Sequence, residues 1–279
     1  MSELLKQITS PTNLNLAWRK YRNDKAIWCS GVPRFEMEPD VVYHLLKMSD
    51  ELTSGNYNPD PVRFFFVNKG NGKKRLISAY TLRDKVAQRA VLSVLEPIFE
   101  SFFHYDSFGY RPGRSIQMAL SRVMDYVFGG MTWIVDADIL ECFDNVSHDL
   151  LIRILNSFIP DHCLIQLIKR WIDAGNIVSG EKSRKKGLPQ GAVLSPFLCN
   201  VYLSWWDYKM HAKGFPFVRF ADDFLAFAIS EHEAERVCFY AGKTLNDIGL
   251  QLHPKKTAVV PFSHDIHFLG QRIINFYNI

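Results

Sequence analysis

Phe217-Val-Arg-Phe-Ala-Asp-Asp-Phe-Leu-Ala-Phe-Ala-Ile229 is the stretch whose reading decides the fold. Apolar residues run on both sides of a single acidic pair, Asp222-Asp223. Asp is disfavoured inside strands and favoured in turns, so the segment reads as a β-hairpin with two carboxylates at its tip. The flanks are apolar at nearly every position, which predicts burial on both faces. Paired carboxylates on a buried hairpin need a counter-charge, and a divalent cation supplies it. Taken alone, an Asp-Asp pair is more often a solvated turn. A metal site requires a third carboxylate on a strand elsewhere, with phosphate-binding groups around it.

Upstream, Met131-Thr-Trp-Ile-Val135 predicts a buried strand that runs into Asp136-Ala-Asp138 and then Ile139-Leu-Glu-Cys-Phe143-Asp144-Asn145. A catalytic carboxylate emerges naturally from a strand end, and Asp138 is the candidate third acid. Arg63-Phe-Phe-Phe-Val67 and Arg75-Leu-Ile-Ser78 read as two strands around the turn Asn68-Lys-Gly-Asn-Gly-Lys-Lys74. Glycines there let the backbone approach a polyphosphate, and Lys and Arg neutralise it. A merely charged, exposed hairpin fits the same residues. Ser107-Phe-Gly-Tyr-Arg-Pro-Gly-Arg-Ser115 is a loop carrying Arg111 and Arg114, and Lys182 to Gly191 is a second basic loop punctuated by Gly and Pro.

Helical spacing covers Leu14 to Tyr21, Pro39 to Thr53, Thr81 to Phe103, Ile116 to Phe128, Leu150 to Phe158, Asp161 to Ala174 and Ser195 to about Lys213. A kink or restart is expected at Pro97. Ser230 and Glu233 form a capping box for one more helix, which ends at Gly249. Leu250 to Phe262 reads as extended segments around Lys255-Lys256. His267-Phe-Leu-Gly270 and a short apolar strand close the chain, and His264 and His267 read as surface histidines.

The 279 residues are 47% hydrophobic and 14% aromatic, enough to bury a sizeable core. That composition excludes a disordered or low-complexity chain. A net charge of +4 permits nucleic-acid binding without demanding it. The cations are clustered at Lys69 to Arg75, Arg83 to Arg89, Arg111 to Arg114 and Lys182 to Lys186. Five cysteines with no Cys-x-x-Cys pair read as reduced, buried thiols of a cytoplasmic protein. The N-terminus lacks a signal-peptide shape, and no apolar run is long enough to span a membrane.

Together these motifs resemble the bacterial reverse transcriptases of the group II intron type, over roughly residues 10 to 275. The Lys69 to Arg75 hairpin resembles the fingers segment that grips a nucleoside triphosphate. Phe108-Gly-Tyr-Arg-Pro-Gly-Arg-Ser115 is close to the family's Phe-Arg-Pro-Gly-Arg-Ser. Asp138 to Asp144 resembles the first catalytic motif, and Gly187-Leu-Pro-Gln-Gly191 with Leu194-Ser195-Pro196 the second. Phe220-Ala-Asp-Asp223 is a variant of the Tyr-x-Asp-Asp box. Gly249-Leu250 with Lys256-Thr257 resembles the next motif, and Phe268-Leu-Gly270 the primer grip.

The resemblance implies an α+β fold: the fingers and palm of a right-hand polymerase, with an antiparallel palm sheet. Fingers are expected from residues 1–86, with an N-terminal extension, and from 149–190. The palm is expected from 87–148 and 191–279. The helices Thr81 to Phe103 and Ser230 to Ile248 are expected behind the palm sheet. The implied activity is RNA-directed DNA polymerisation with two Mg2+ ions, Mn2+ being an alternative. The implied ligands are Asp138, Asp222, the Ile139 carbonyl and, less directly, Asp223. Asp136 is not the first ligand, because the family's aromatic lies five residues beyond the catalytic Asp and Asp138 plus five is Phe143. Phe143 is then the steric gate against a ribose 2′-hydroxyl. Lys69 and Arg75 are expected on the β and γ phosphates, Gln190 in the nucleotide pocket, and Lys256 as general acid, with Lys255 the competing choice. Arg111, Arg114 and the primer grip Phe268, Leu269 and Gly270 are expected at the template and primer.

Three departures stand out, the chain's length being the main one. Phe220 replaces the usual Tyr, and Cys29-Ser-Gly-Val32 lacks the family's Gly-Val-Asp-Gly. The chain also stops just after the primer grip, before the thumb, maturase and nuclease regions of intron enzymes. The resemblance therefore implies a partner protein, a structured RNA or self-association in place of the thumb, or a chain cut from a longer one. The setting it suggests is an antiphage defence, CRISPR-associated or other domesticated retroelement system. The alternatives are an RNA-synthesising or untemplated polymerase, opposed for ribonucleotides by Phe143, and a non-catalytic RNA-binding or maturase-like scaffold, opposed by three intact acids.

Overall fold

A computed structural model describes residues 2–68, 74–176, 185–262 and 266–273. In chain order these form α1 (Glu3–Thr9), α2 (Pro11–Tyr21), α3 (Arg34–Met37), a 3-10 turn (Glu38–Asp40), α4 (Val41–Ser54), β1 (Arg63–Asn68), β2 (Lys74–Ala79), α5 (Leu82–Glu100) and α6 (Ile116–Phe128). There follow β3 (Trp133–Asp138), α7 (Cys142–Asn145), α8 (His148–Phe158), α9 (His162–Asn176), α10 (Ser195–Ala212), β4 (Phe217–Phe220) and β5 (Asp223–Ala228). The last elements are α11 (Glu231–Asp247), β6 (Ala258–Pro261), β7 (His267–Phe268) and β8 (Gln271–Arg272). The chain divides into two compact units, Met1–Phe99 with His148–Leu198, and Glu100–Ser147 with Cys199–Ile279.

The first unit is helical around one hairpin. β1 and β2 pair antiparallel, Asn68 opposite Lys74, and the intervening turn with Lys69 lies outside the described residues. Asp84, buried in the first turn of α5, ties distant segments together. Its carboxylate accepts from Tyr57 Oη at 2.9 Å, Trp171 Nε1 at 2.9 Å, Thr81 Oγ1 at 3.0 Å and the Asp60 N–H at 3.0 Å. Four donors offset most of the cost of burying the charge, and desolvation still raises its pKa. α5 does not restart at Pro97 but continues through it to Glu100. Pro97 stands one turn from the helix end, so its missing N–H removes a single bond.

The second unit is built on a four-stranded antiparallel sheet in the order β4-β5-β3-β6. Side chains alternate across it. Ile134, Val218, Leu225 and Phe227 form one core face with Ala119, Leu120, Val123 and Met124 of α6 and with Phe268 of β7. Val135, Ala137, Phe217, Phe224 and Ala226 face the other way. There Trp206 of α10 meets Phe217 at 5.2 Å and Phe224 at 4.6 Å, and α11 packs along β3, β5 and β6. Phe224, Leu225 and Phe227 are fully buried and contribute roughly 2 kcal/mol apiece. Burial on both faces explains the unbroken apolar run around Asp222-Asp223. Of the two helices expected behind the sheet, α11 is there. The opposite face belongs to α6, while nearly all of α5 falls in the first unit.

Ser230 caps α11, its Oγ accepting the Glu233 N–H at 3.3 Å, while Glu233 Oε2 accepts the N–H of Ile229, one residue before the cap, at 3.1 Å, so the reciprocal half of the expected capping box is shifted by one residue. Only Cys142 and Cys199 are buried, with Sγ atoms 3.7 Å apart; Cys163 is exposed because it lies on the outer face of α9. Among the described residues no helix is long and apolar enough to cross a membrane.

His104 gives this unit an acid-sensitive point. Its ring is buried, stacked on Phe217 with centroids 4.9 Å apart, and stands 4.9 Å from the His211 ring. Nδ1 accepts the Asp106 N–H at 3.2 Å, so a second proton would break that bond. Burial lowers its pKa to about 4, with His211, Arg219 and Arg111 adding to the effect and Asp106 opposing it. The unfolded chain therefore binds more protons between pH 6.5 and 4, and stability from this group is complete above pH 6.5 and lost as pH falls towards 4. Relative to His104→Asn, the wild type should lose at most about 3 kcal/mol over that window. Denaturant midpoints of both proteins at pH 7 and pH 4.5 check this; parallel midpoints would contradict it.

Candidate active site

β3 ends on Asp138, β5 begins on Asp223, and the two residues are direct cross-strand partners. The pairing register alone sets two carboxylates side by side on the α6 face of the sheet. The turn itself is Ala221-Asp222, so Asp223 is the first strand residue, opposite Phe220, rather than part of the tip. The Asp222 carbonyl accepts the Ile139 N–H at 3.2 Å, which fastens the tip to the chain leaving β3.

Crowding of like charges shows in the acids. Burial first, then Asp222 and Asp138, push Asp223 up to about 6. Asp222 is raised by burial and by Asp138. Asp136, on the same face of β3 as Asp138, is raised by burial and by Asp138 as well. The Lys256 ammonium is ion-paired with the Asp138 carboxylate, which raises the lysine's pKa in turn. The loop before β6 is held for this contact. The Leu140 N–H donates to Gln251 O at 2.8 Å and the His253 N–H to Asp138 O at 2.7 Å. The backbone N–H groups of Lys255 and Lys256 both bond back to His253, at 3.2 Å to Nδ1 and 3.0 Å to the carbonyl.

Glu141, at φ +46°, turns the chain sharply after β3 so that the short α7 follows. Phe143 on α7 is half-buried and meets the Tyr110 ring edge-on, with centroids 6.4 Å apart at 88°. Tyr110 is 51% exposed and lies at φ +57°. With Ala221 at φ +60°, three of the four non-glycine residues at positive φ among the described residues surround these acids. Such residues cost on the order of 1–3 kcal/mol each and gather at functional sites.

Sequence reasoning missed the support beneath the turn. Arg219 and Asp207 are each 0% exposed. The Arg219 Nε donates to Asp207 Oδ1 at 2.7 Å, a second guanidinium nitrogen donates to Oδ2 at 2.5 Å, and the third donates to the Ala221 carbonyl at 2.8 Å and to Asn200 Oδ1 at 3.0 Å. The Asn200 amide then donates to the Gly109 carbonyl at 2.6 Å. A Cβ on Gly109 would lie 2.3 Å from the Ala221 nitrogen, so only glycine lets this loop lie on the turn. The outer edge of β4 is paired here too, the Arg219 N–H donating to Asp106 O and the Phe108 N–H to Arg219 O. A charged residue in the middle of an otherwise apolar strand was the available signal.

Other predicted residues fall elsewhere. Arg111 is only 5% exposed, because its guanidinium turns inward to Glu100 and to the carbonyls of His104 and Ser107. This corrects the expectation that it faces a template. Arg114 is more open and lies over the Phe108 ring at 5.5 Å. Phe268 is part of the core on the α6 face of the sheet, while Leu269 and Gly270 make a left-handed turn between β7 and β8. In the first unit, Arg75 is exposed on β2, and the Gln190 carbonyl accepts the Ser78 N–H of β2 at 2.7 Å. Among the described residues no three His, Cys, Asp or Glu side chains are gathered to hold a metal.

Residues 67–273 match the family described as reverse transcriptase (RNA-dependent DNA polymerase). Protein YkfC of Escherichia coli K12 is 35% identical over 221 residues, 76% of this chain and 58% of that protein. The group II intron-encoded protein LtrA of Lactococcus lactis subsp. cremoris is 34% identical over 208 residues, 74% of this chain and 35% of that protein. The chain thus spans less than two thirds of the length of these relatives. Among solved structures, a partial Cas6-RT-Cas1–Cas2 complex aligns with 88% of this chain and 42% of that one, at a TM-score of 0.52 and 26% identity. An apo telomerase from Candida tropicalis shares the fold alone, at a TM-score of 0.56 and 14% identity over 82% of this chain and 58% of that one. The α+β architecture, the acidic hairpin and the family match agree: this chain belongs to the reverse transcriptase family.

Proposed function

We propose that this chain is an RNA-directed DNA polymerase that extends a nucleic-acid primer on an RNA template. The observation that carries this reading is the register that pairs Asp138 with Asp223, with Asp222 in the adjoining turn bonded through its carbonyl to Ile139. Asp138, Asp222 and the Ile139 carbonyl are hard-oxygen donors of the kind Mg2+ takes, and burial with the crowding of like charges raises the pKa values of Asp222 and Asp223.

Asp138, Asp222 and the Ile139 carbonyl would hold the metal, with Asp223 adding negative charge. Bound Mg2+, or Mn2+ in its place, supplies activation of the primer 3′-hydroxyl and stabilisation of the leaving pyrophosphate. Lys256, ion-paired with Asp138, would be placed to give a proton to the leaving pyrophosphate. Residues 1–86 and 149–190 serve as fingers, where Arg75 and Lys69 take the triphosphate and Gln190 lines the pocket. Residues 87–148 and 191–279 serve as palm. Arg114 is the remaining arginine of its loop for a template phosphate. Chelation with EDTA should stop incorporation, and Mg2+ should restore it.

Phe143 excludes the ribose 2′-hydroxyl, with Tyr110 packed against its ring. Phe143→Ala should lower the preference for deoxynucleotides over ribonucleotides by about 10- to 100-fold, the scale of one steric clash in a pocket. Single-nucleotide incorporation with dNTP and rNTP measures this. An unchanged ratio would remove Phe143 from the gate.

The biological setting we propose is a domesticated retroelement of the defence or CRISPR-associated kind. The 26% likeness to a Cas6-RT-Cas1–Cas2 complex supports it. A tagged chain recovered from its native host with a Cas-type nuclease protein or a structured RNA would favour this setting. Recovery with spliced intron RNA would argue against it.

A further inference from the structure

We propose that Arg219 is a positioning residue for the acidic turn, with Asn200 as its extension to the loop that carries Tyr110. The inference rests on the polymerase reading above but concerns residues outside the metal and nucleotide shell. A buried ion pair contributes little net stability compared with apolar residues of the same volume. What the Arg219–Asp207 pair supplies is geometry. Asp207 on α10 fixes the guanidinium plane through two bonds, 2.7 and 2.5 Å. The remaining nitrogen then has a set direction, towards the Ala221 carbonyl at 2.8 Å and Asn200 Oδ1 at 3.0 Å.

Ala221 needs that support. It holds φ +60° without being glycine, and it immediately precedes Asp222. Asn200 carries the same support across to Gly109 at 2.6 Å, where the loop lies directly on the turn. The next residue, Tyr110, is itself at φ +57° and packs edge-on against Phe143. One guanidinium thus sets both the turn that presents Asp222 and the aromatic pair beside it. A misplacement of about 1 Å at such a site costs on the order of 10²-fold in rate.

The test compares Arg219→Lys, which keeps the charge opposite Asp207 and loses the fork, with Asn200→Ala, which breaks only the bridge. Thr244→Val is the control: Thr244 is buried on α11 and bonds the Tyr240 carbonyl, away from the turn. For each protein, the thermal midpoint, kcat and KM for the nucleotide, and the Mn2+ half-saturation by electron paramagnetic resonance are measured. Arg219→Lys and Asn200→Ala should lower kcat about tenfold or more, with KM within about threefold, and weaken Mn2+ binding severalfold. Thr244→Val should keep both readouts even where its thermal midpoint falls as far. Equal losses in all three variants at equal folded fraction would overturn the proposal and leave Arg219 a purely structural residue. If the wild type binds Mn2+ but incorporates nothing, the polymerase reading fails, and the Mn2+ titration alone then decides the positioning role: weaker binding in the two variants supports it, and unchanged binding overturns it.

Discussion

Asp138→Ala should reduce nucleotide incorporation by about 10³-fold or more while leaving the protein as stable as the wild type. The size follows from the proposed role: Asp138 would hold the divalent ion whose charge stabilisation is worth several kcal/mol of barrier. The unchanged stability follows from the electrostatics. Asp138 raises the pKa values of Asp222, Asp223 and Asp136, so its removal relieves repulsion among buried acids. The one favourable contact it loses is to Lys256, whose side chain is 60% exposed, and such pairs are worth little. A residue that costs stability to keep, and that the fold does not need, is the signature of function. Steady-state incorporation and a thermal melt of the same preparation check both halves. Retention of more than a tenth of the activity would refute the assignment.

Asp207→Ala should be the most destabilising single change of those considered, by about 3–5 kcal/mol, because Arg219 stays charged and fully buried with no carboxylate opposite. Burial alone would lower the arginine's pKa, and Asp207 is what holds it up. Asp207→Leu combined with Arg219→Met should recover most of that loss by replacing the pair with apolar volume. It should not recover activity, because the bonds to Ala221 and Asn200 stay broken. Denaturant unfolding of the single and double variants measures the first statement, and incorporation by the double variant the second. A double variant as unstable as Asp207→Ala would contradict the account of the pair.

The acidic hairpin was legible because a nearly continuous apolar run on both sides of one acidic pair leaves few alternatives. A run from Phe217 to Ile229 that buries both faces as strands puts the turn at the acidic pair; Asp222 lies in it, while Asp223 is already the first residue of β5. Asp138 was legible for the same reason, as an acid closing an apolar strand. Arg111 was misread because nothing local shows that Glu100 and two loop carbonyls converge on it. Its neighbour Arg114 has the same composition around it and stays more open. Arg219 was overlooked because its meaning depends on Asp207, twelve residues away on a helix whose face cannot be oriented from sequence. A buried cation and a buried anion, each alone in apolar surroundings, are nevertheless a pairing signal that can be sought deliberately. The second helix on the sheet was expected from the family resemblance to be Thr81–Phe103; α6 is amphipathic too, and only tertiary packing shows that it is the one on the sheet.

The measurement closest to the central claim is single-nucleotide incorporation by the purified chain on a DNA primer annealed to RNA templates that differ only in the templating base. With Mg2+ present, the account predicts addition of the one deoxynucleotide complementary to each template base, and none without template or with Asp222→Ala. Addition that ignores the template base, or no addition by a folded protein whose Mn2+ binding is intact, would contradict it.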